Sequence, residues 1–281
     1  TMTEPADTEP TSGRMSLVPR PVEEPDMSLR LLGFLHHLGM VAEMTWRTTR
    51  ALFKRPFEGR AIITQLESLG VKSLGIVIVT SVFIGMVMAV QFAFGLRKFG
   101  GMEYTGRVVG LSFARELAPT LTAVIVGGRI GAGMAAEVGS MAVTEQIDAL
   151  RALGADPYKK LVLPRLIASI LVMPVLGALA LVLGFTGAML ITDFQFGIPA
   201  SFFFYSALGT VTMKDFISGM LKTPFFGAII ALVGCHFGMI TRGGTAGVGN
   251  STTRTVVVIS ISILIADFFL TKMSISLMPP F

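Results

Sequence analysis

The chain of 281 residues is 52% hydrophobic and only 15% charged, and its mean hydropathy of +0.71 excludes an ordinary soluble domain. Its formal net charge is +5, but no block of Lys and Arg is interleaved with aromatic residues, which argues against nucleic-acid binding. Cys235 is the only cysteine, so an intrachain disulfide is excluded.

The first 70 residues precede the long apolar runs. Residues 1–27 are rich in Pro, Glu and Thr and have almost nothing to bury, which predicts a disordered tail. Residues 28–70 predict interfacial amphipathic helices, because leucines recur at helical spacing and Trp46 suits headgroup depth. Pro56 is expected to separate two such helices.

Residues 71–281 form the predicted transmembrane domain, with about five apolar runs near the ~20 residues needed to cross the hydrocarbon. These runs cover approximately Leu74–Leu96, Val108–Ala132, Leu161–Ile191, Phe216–Ile240 and Thr255–Leu277. Pro174 is expected to tilt or kink the overlong third span. The apolar run Ser201–Gly209 is too short to cross and is predicted to lie in the interface. The predicted fold class is an all-α integral membrane protein.

Basic residues near the span ends predict the orientation. The larger set lies before span one, between spans two and three, and between spans four and five: Lys54, Arg55, Arg60, Lys72, Arg129, Arg151, Lys159, Lys160, Arg165, Arg242 and Arg254. The smaller set lies on the other side: Arg97, Lys98, Arg107, Lys214, Lys222 and Lys272. The N-terminus is therefore predicted to be cytoplasmic, and an odd number of spans puts the C-terminus on the opposite side.

A polar, helix-like insert, Glu137–Pro164, separates the second and third spans. Its central part, about residues 140–153, predicts a two-faced helix that ends at Gly154. A plain connecting loop is the alternative, but a linker needs neither this length nor two faces. The pattern favours a cytoplasmic coupling helix that docks on a nucleotide-binding subunit. The residues assigned to this contact are Glu137, Val143, Glu145, Gln146, Ile147, Asp148, Leu150 and Arg151.

Several short motifs follow one another in the middle of the chain. They are Arg115–Pro119 (RELAP), Gly128–Gly131 (GRIG), Ala136–Met141 (AEVGSM), Val143–Leu150 (VTEQIDAL) and Leu161–Arg165 (LVLPR). Together they closely resemble the MlaE/YrbE permease family of ABC-type lipid transporters, and the resemblance covers about residue 33 to the end. Ala118, where many members have Gly, is a small-for-small departure.

The resemblance implies a homodimer in the bacterial inner membrane, with the side opposite the N-terminus facing the periplasm. It implies three further partners: a cytosolic ABC ATPase, often a small STAS-domain protein, and a periplasmic MCE-domain lipid-binding protein. The implied function is movement of phospholipids between inner and outer membrane. ATP is expected to be used by the partner subunit, so no cofactor is expected on this chain.

Charged residues inside the spans are the first candidates for a site. Arg115 and Glu116, followed by Leu117, lie about two turns into span two, and each charge costs ~2.5–3.5 kcal/mol at mid-bilayer. The alternatives are a structural ion pair of Arg115 with Asp267 in span five, contact with a lipid headgroup, or both. Arg115 is the better phosphate ligand, because a guanidinium binds phosphate through two nitrogens. Pro119 is expected to open this helix locally.

An acyl-chain site should be apolar and lie at a similar depth. In the second half of span one, Met88, Phe92, Gly95, Leu96 and Phe99 share one helix face. Ordinary packing or lipid-facing surface is the alternative. The family resemblance implies a dimer cavity between paired first spans, and this face is then its predicted lining.

No enzyme chemistry is predicted for this chain. Gly244–Ser251 resembles a phosphate-binding loop, but Asn250 replaces the essential lysine and no strand precedes it. The three histidines have no metal-ligand spacing. The alternatives to a phospholipid permease are an energy-independent channel or scramblase, a non-transporting scaffold for a periplasmic lipid-binding protein, and a permease for another lipid or hydrophobic solute. A coupling helix argues against the first two.

Overall fold

The computed structural model describes residues 27–52 and 59–277, with side chains from residue 35 onward. All regular structure in these ranges is helical, which confirms the predicted all-α class. The α-helices are α1 (Met27–Leu52), α2 (Gly59–Gly70), α3 (Leu74–Arg97), α4 (Thr105–Ser112), α5 (Thr122–Val143), α6 (Gln146–Ala152), α7 (Leu163–Phe196), α8 (Ala200–Leu208), α9 (Met213–Met239) and α10 (Gly244–Leu277). Short 3₁₀ turns occupy Val71–Ser73 and Met102–Tyr104, and π-helical turns occupy Phe113–Leu121 and Tyr158–Val162.

The chain divides after Leu38 into a small N-terminal unit and a unit that holds the remaining helices. In the first unit the described residues are the beginning of α1. The tail predicted for residues 1–27 lies outside the described residues, apart from Met27. The break predicted at Pro56 also lies outside them.

Within residues 27–52 and 59–277, five helical segments are long and apolar enough to cross a membrane, and they identify a multi-pass membrane protein. They are Gly59–Arg97, Met102–Val143, Tyr158–Phe196, Met213–Met239 and Gly244–Leu277. The predicted number of spans is confirmed. The first three segments are longer than predicted because 3₁₀ or π turns join successive α-helices without a break. For example, α2 runs through Val71–Ser73 directly into α3. The interfacial position of α2 stays a prediction.

The five spans alternate in direction, so the bundle has two ends. The end that carries α6 also has the start of the first, third and fifth spans, and is called the α6 end below. The other end carries α8 and is called the α8 end. Arg115, Lys222 and Asp267 all lie in the half of the bundle nearer the α8 end.

Small residues bring the spans into backbone contact. Gly85 of α3 faces Gly184 of α7 so closely that a Cβ on Gly85 would lie 1.9 Å from the Gly184 carbonyl oxygen. Gly234 of α9 meets Gly131 of α5 in the same way, at 3.0 Å. Close helix approach through small residues is the usual packing mode in membranes, where the lipid supplies no hydrophobic drive between helices.

α8 packs on α4 with one side and leaves the other open. Phe203 is fully buried, and its carbonyl oxygen would lie 2.7 Å from a Cβ placed on Gly106 of α4. Tyr205 is 70% exposed on the opposite side. An aromatic face left open at the end of a bundle is compatible with the interfacial position predicted for this segment.

Candidate functional site

The second span is wound more widely than an α-helix where its charged residues lie. Pro119 has no N–H, so an α-helix here would leave the carbonyl of Arg115 without its usual donor four residues on. The chain instead forms the π-helical turn Phe113–Leu121. π turns of this kind often occur at functional sites. The local opening predicted from Pro119 is therefore present, and Arg115 and Glu116 lie inside it.

A glycine on the fourth span sets the geometry of this region. A Cβ on Gly219 of α9 would lie 2.0 Å from the carbonyl oxygen of Ala114, so α9 touches the backbone of the π turn at this point. Asp215 precedes Gly219 by one helical turn and Lys222 follows it by about one, so the two face the same side of α9. Arg115 and Glu116 each reach an opposite charge on α9, one on either side of the close contact at Gly219.

Arg115 pairs with Asp215. Its Nε lies 2.7 Å from Asp215 Oδ1, and Asp215 is 7% exposed. The carboxylate is fixed by a capping box at the start of α9, because its Oδ2 accepts hydrogen bonds from the backbone N–H and the hydroxyl of Thr212. No described residue accepts a hydrogen bond from the terminal nitrogens of Arg115, whose side chain is 29% exposed.

Lys222 is the centre of a second charged group. It is 3% exposed, and its Nζ lies 2.8 Å from both oxygens of Glu116 and 3.1 Å from Asp267 Oδ1. It also donates to Thr271 Oγ1 at 2.7 Å and to the carbonyl of Arg115 at 3.2 Å. Spans two, four and five are thus joined through one ammonium group.

The predicted ion pair between Arg115 and Asp267 is wrong. Asp267 pairs with Lys222, and Arg115 pairs with Asp215. The reason is that the fourth span supplies an opposite charge to both residues, Asp215 to Arg115 and Lys222 to Asp267. Lys222 was expected at the flank of that span, and Asp215 was not among the predicted site residues. The signal was present in Thr212 and Asp215, whose capping-box spacing starts α9 early enough to put Lys222 inside the helix.

The number of N–H donors in use separates the roles of the two cations. Lys222 has three N–H donors and five acceptors within reach, so it has no capacity for another ligand. Arg115 has five N–H donors and contacts its carboxylate through Nε. Lys222 therefore joins the three spans, and of the two cations Arg115 is the one with N–H donors left over.

A groove between α9 and α10 runs up to this charged group. It is shallow, with a cavity volume of about 50 Å³. Its lining is Ser218, Leu221, Lys222, Phe225, Leu270, Met273, Ser274 and Leu277. Ser218 and Ser274 hydrogen-bond to each other across it. A mostly apolar groove beside buried charges has the chemistry of a site for an amphiphile.

The apolar face predicted on span one is separate from that groove. Met88, Phe92 and Leu96 are half-buried on α3, and Leu117 is half-buried in the π turn. Phe99 is 87% exposed, in the turn that follows α3. The buried side of α3 is its row of small residues, which packs on α7. A lipid-binding role for the predicted face stays a prediction.

The predicted coupling region folds as two helices. Residues up to Val143 continue α5, and α6 begins only at Gln146. Between them Glu145 has the left-handed backbone values φ 59° and ψ 12°, which redirects the chain. The helix predicted over residues 140–153 is therefore shorter than expected.

α6 has one buried and one exposed side. Ile147 is 4% exposed and Leu150 packs partly against the core. Glu145, Gln146 and Asp148 are exposed, and Asp148 forms a 2.7 Å ion pair with Arg151. The polar side of α6 is thus open at the end of the bundle, where a partner could contact it.

Glu137 lies on α5, about two turns before the helix ends, so it is not part of α6. Its Oε1 forms an ion pair with Arg165, at 2.9 Å from Nη2. Arg165 was assigned only to the basic flank of the third span, but it is 4% exposed.

Comparison with known proteins adds an independent finding. Residues 62–273 match the family model described as Permease MlaE. The protein TRIGALACTOSYLDIACYLGLYCEROL 1, chloroplastic, of Arabidopsis thaliana is 41% identical over 221 residues, which are 79% of this chain and 63% of that protein. This chain therefore spans less than two thirds of that relative.

Bacterial relatives are covered more fully. A probable ABC transporter permease protein of Synechocystis is 41% identical over 75% of this chain and 80% of its own length. A protein of the same description from Rickettsia typhi is 38% identical over 240 residues, which are 85% of this chain and 93% of the relative.

Proposed function

Because the chain belongs to the MlaE family of ABC transporter permeases, we propose that it is the membrane subunit of a transporter that moves phospholipids between the inner and outer membranes of a bacterium. In this proposal two copies assemble with cytosolic ATPase subunits, which hydrolyse ATP. A periplasmic MCE-domain protein exchanges lipid with the dimer, and a STAS-domain protein is a further partner. The α6 end faces the cytoplasm, and the C-terminus is periplasmic.

The environment of Arg115 is the observation that supports this proposal most directly. A guanidinium deep in a membrane span is costly, and such groups normally mark a functional site. Arg115 is held in place by Asp215 through Nε, while its terminal nitrogens have no described partner and its side chain is 29% exposed. Two parallel N–H groups match two oxygens of a phosphate, which is the group that phospholipids share.

The groove between α9 and α10 supports a lipid over a smaller polar solute. Leu221, Phe225 and Leu277 are each about half exposed or more and line its walls. A phospholipid bound at Arg115 would need such apolar surface for its acyl chains. The name of the Arabidopsis relative refers to a galactosyl diacylglycerol, which is also a two-chain lipid.

The rest of the proposed mechanism assigns a task to each part of this chain. Arg115 binds the phosphate, and the Lys222 group holds spans two, four and five together around it. The exposed side of α6 receives the movement of the ATPase on ATP binding. Relative movement of the spans then opens or closes the lipid site.

Lipid occupancy tests the assignment of Arg115. The chain, co-expressed with its genomic neighbours, is purified in detergent without added lipid, and the complex is examined by mass spectrometry. The wild type should retain phospholipid. Arg115→Gln should lose it, because a charge-assisted hydrogen bond contributes ~1.5–3 kcal/mol, or roughly a 10- to 150-fold change in affinity.

Arg97→Gln is the matched control. Arg97 is exposed at the end of α3, and this change removes the same charge from the same end of the bundle. Lipid occupancy of the control should equal that of the wild type. Equal occupancy in the Arg115 variant, or a wild type that carries a non-lipid solute in place of phospholipid, would contradict the proposal.

A further inference from the structure

Arg165 is a buried cation at the base of the α6 loop. It lies in the first turn of α7 and is 4% exposed. A buried charge normally needs a full set of partners, since its desolvation is costly. An apolar residue would pack at this position at lower cost, so we expect the arginine to have a task beyond packing.

Arg165 contacts both sides of the loop. Its Nη2 lies 2.9 Å from Glu137 Oε1 on α5, the helix that enters the loop. Its Nη1 donates to the carbonyl of Leu161 at 2.8 Å, in the π turn that leaves the loop. One side chain therefore ties together α5, the π turn and α7. These contacts join the AEVGSM and LVLPR motifs, which are far apart in the chain.

The contacts of Arg165 are incomplete. Its Nε is buried and has no hydrogen-bond partner among the described residues, and neither has the buried hydroxyl of Ser169 one turn further along α7. Buried polar groups are nearly always paired when their only task is stability. Both groups lie on α7, so the guanidinium has an unused donor one turn from an unused acceptor on its own helix, while its pair with Glu137 holds α5.

We propose that Arg165 is a positioning residue of the coupling mechanism, and that its ion pair with Glu137 passes the movement of α6 to α5 and α7 together. This inference rests on the proposed function only in that α6 receives movement from an ATPase. With the pair intact, α5 and α7 move as one body when α6 is displaced. With the pair broken, α6 moves without carrying both spans.

The test measures movement and transport separately. A spin label at Phe194, which is 92% exposed at the far end of α7, reports the distance between the two copies in the complex with and without ATP. Lipid transfer and ATP hydrolysis are measured on the same complex in vesicles of phosphatidylethanolamine and phosphatidylglycerol. The variants are Glu137→Gln, Arg165→Lys and the exchanged pair Glu137→Arg with Arg165→Glu.

We expect the ATP-dependent distance change to disappear in Glu137→Gln and in Arg165→Lys, with lipid moved per ATP hydrolysed at least tenfold lower. The exchanged pair should recover at least a third of the wild-type ratio. Glu67→Gln removes another exposed glutamate near the same end of the bundle, on α2, and should match the wild type in every readout.

Three outcomes would overturn the inference. One is a normal distance change in Glu137→Gln. Another is a fall of hydrolysis and transfer in equal proportion, together with a lower unfolding temperature, which is the result of a merely structural pair. The third is no recovery in the exchanged pair if that complex assembles. A wild type that shows the distance change but moves no phospholipid would instead contradict the proposed substrate and leave the role of Arg165 supported.

Discussion

Replacing Lys222 by methionine should destabilise the protein strongly. The change keeps the length of the side chain but removes the ammonium that Glu116 and Asp267 share. Removing one partner of a buried ion pair costs ~3–5 kcal/mol, because the remaining charge stays buried without a counter-charge. The Glu116 side chain is 39% exposed, so water partly compensates it and the lower figure applies. At ~2–4 °C per kcal/mol, the unfolding temperature should fall by roughly 6–12 °C.

The assay is thermal unfolding of the purified protein in detergent, followed by size-exclusion chromatography of the soluble fraction. Lys272→Met is the control, since Lys272 is exposed on α10 and its loss should change the unfolding temperature by less than about 1 °C. Adding Glu116→Gln and Asp267→Asn to the Lys222 variant should recover at least half of the loss, because no unpaired charge remains.

Two results would refute this reasoning. A Lys222→Met variant as stable as the Lys272→Met control would mean that the buried charges contribute nothing to holding the spans together. A triple variant less stable than Lys222→Met alone would mean that the carboxylates are stabilising without the ammonium.

Further changes test the helix contact and the coupling loop. Gly219→Ala should lower lipid transfer at least tenfold, because its Cβ would lie 2.0 Å from the Ala114 carbonyl and the helices must separate by about 1.4 Å to reach 3.4 Å. Gly75→Ala, which meets nothing within 4 Å, should leave transfer unchanged, and equal effects would refute the contact. Glu145 has a positive φ, so Glu145→Val should lower the free energy of unfolding by ~1–2 kcal/mol and Glu145→Gly should not. A valine variant that is more stable than the glycine variant in thermal unfolding would contradict this prediction. Asp148→Lys should uncouple ATP hydrolysis from lipid transfer with little change in thermal stability, since Asp148 is exposed; unchanged transfer would count against α6 as the coupling element.

The spans were predictable because their signal is local. An apolar run of about 20 residues can do little except cross a membrane or form a buried helix, and all five predicted runs are present. The ends were less predictable. The π turn at Tyr158–Val162 and the 3₁₀ turn at Val71–Ser73 continue a helix through residues that a hydropathy window leaves outside.

The charged site was only half predictable, because its partners come from three spans. Arg115 and Glu116 stand out since they interrupt an apolar run. Lys222 lies near the polar start of its span, where a basic residue is equally typical of a flank. Which carboxylate pairs with which cation depends on the contact at Gly219, a long-range feature that one sequence does not contain. The same is true of the pair between Glu137 and Arg165.

The fifth span has an unusual attachment that bears on how the protein is made. Of the described residues of α10, those buried are Thr255, Ile259 and Ile263, in the middle of the helix. The part beyond them, toward the α8 end, is attached through Asp267 and Thr271 to Lys222, and through Ser274 to Ser218.

A nascent fifth span that left the translocon alone would place Asp267 in hydrocarbon at a cost of ~2.5–3.5 kcal/mol. Synthesis from the N-terminus delivers spans two and four first, so the ammonium of Lys222 is already in the membrane when the carboxylate arrives. The fifth span is therefore held by a charge that an earlier span supplies.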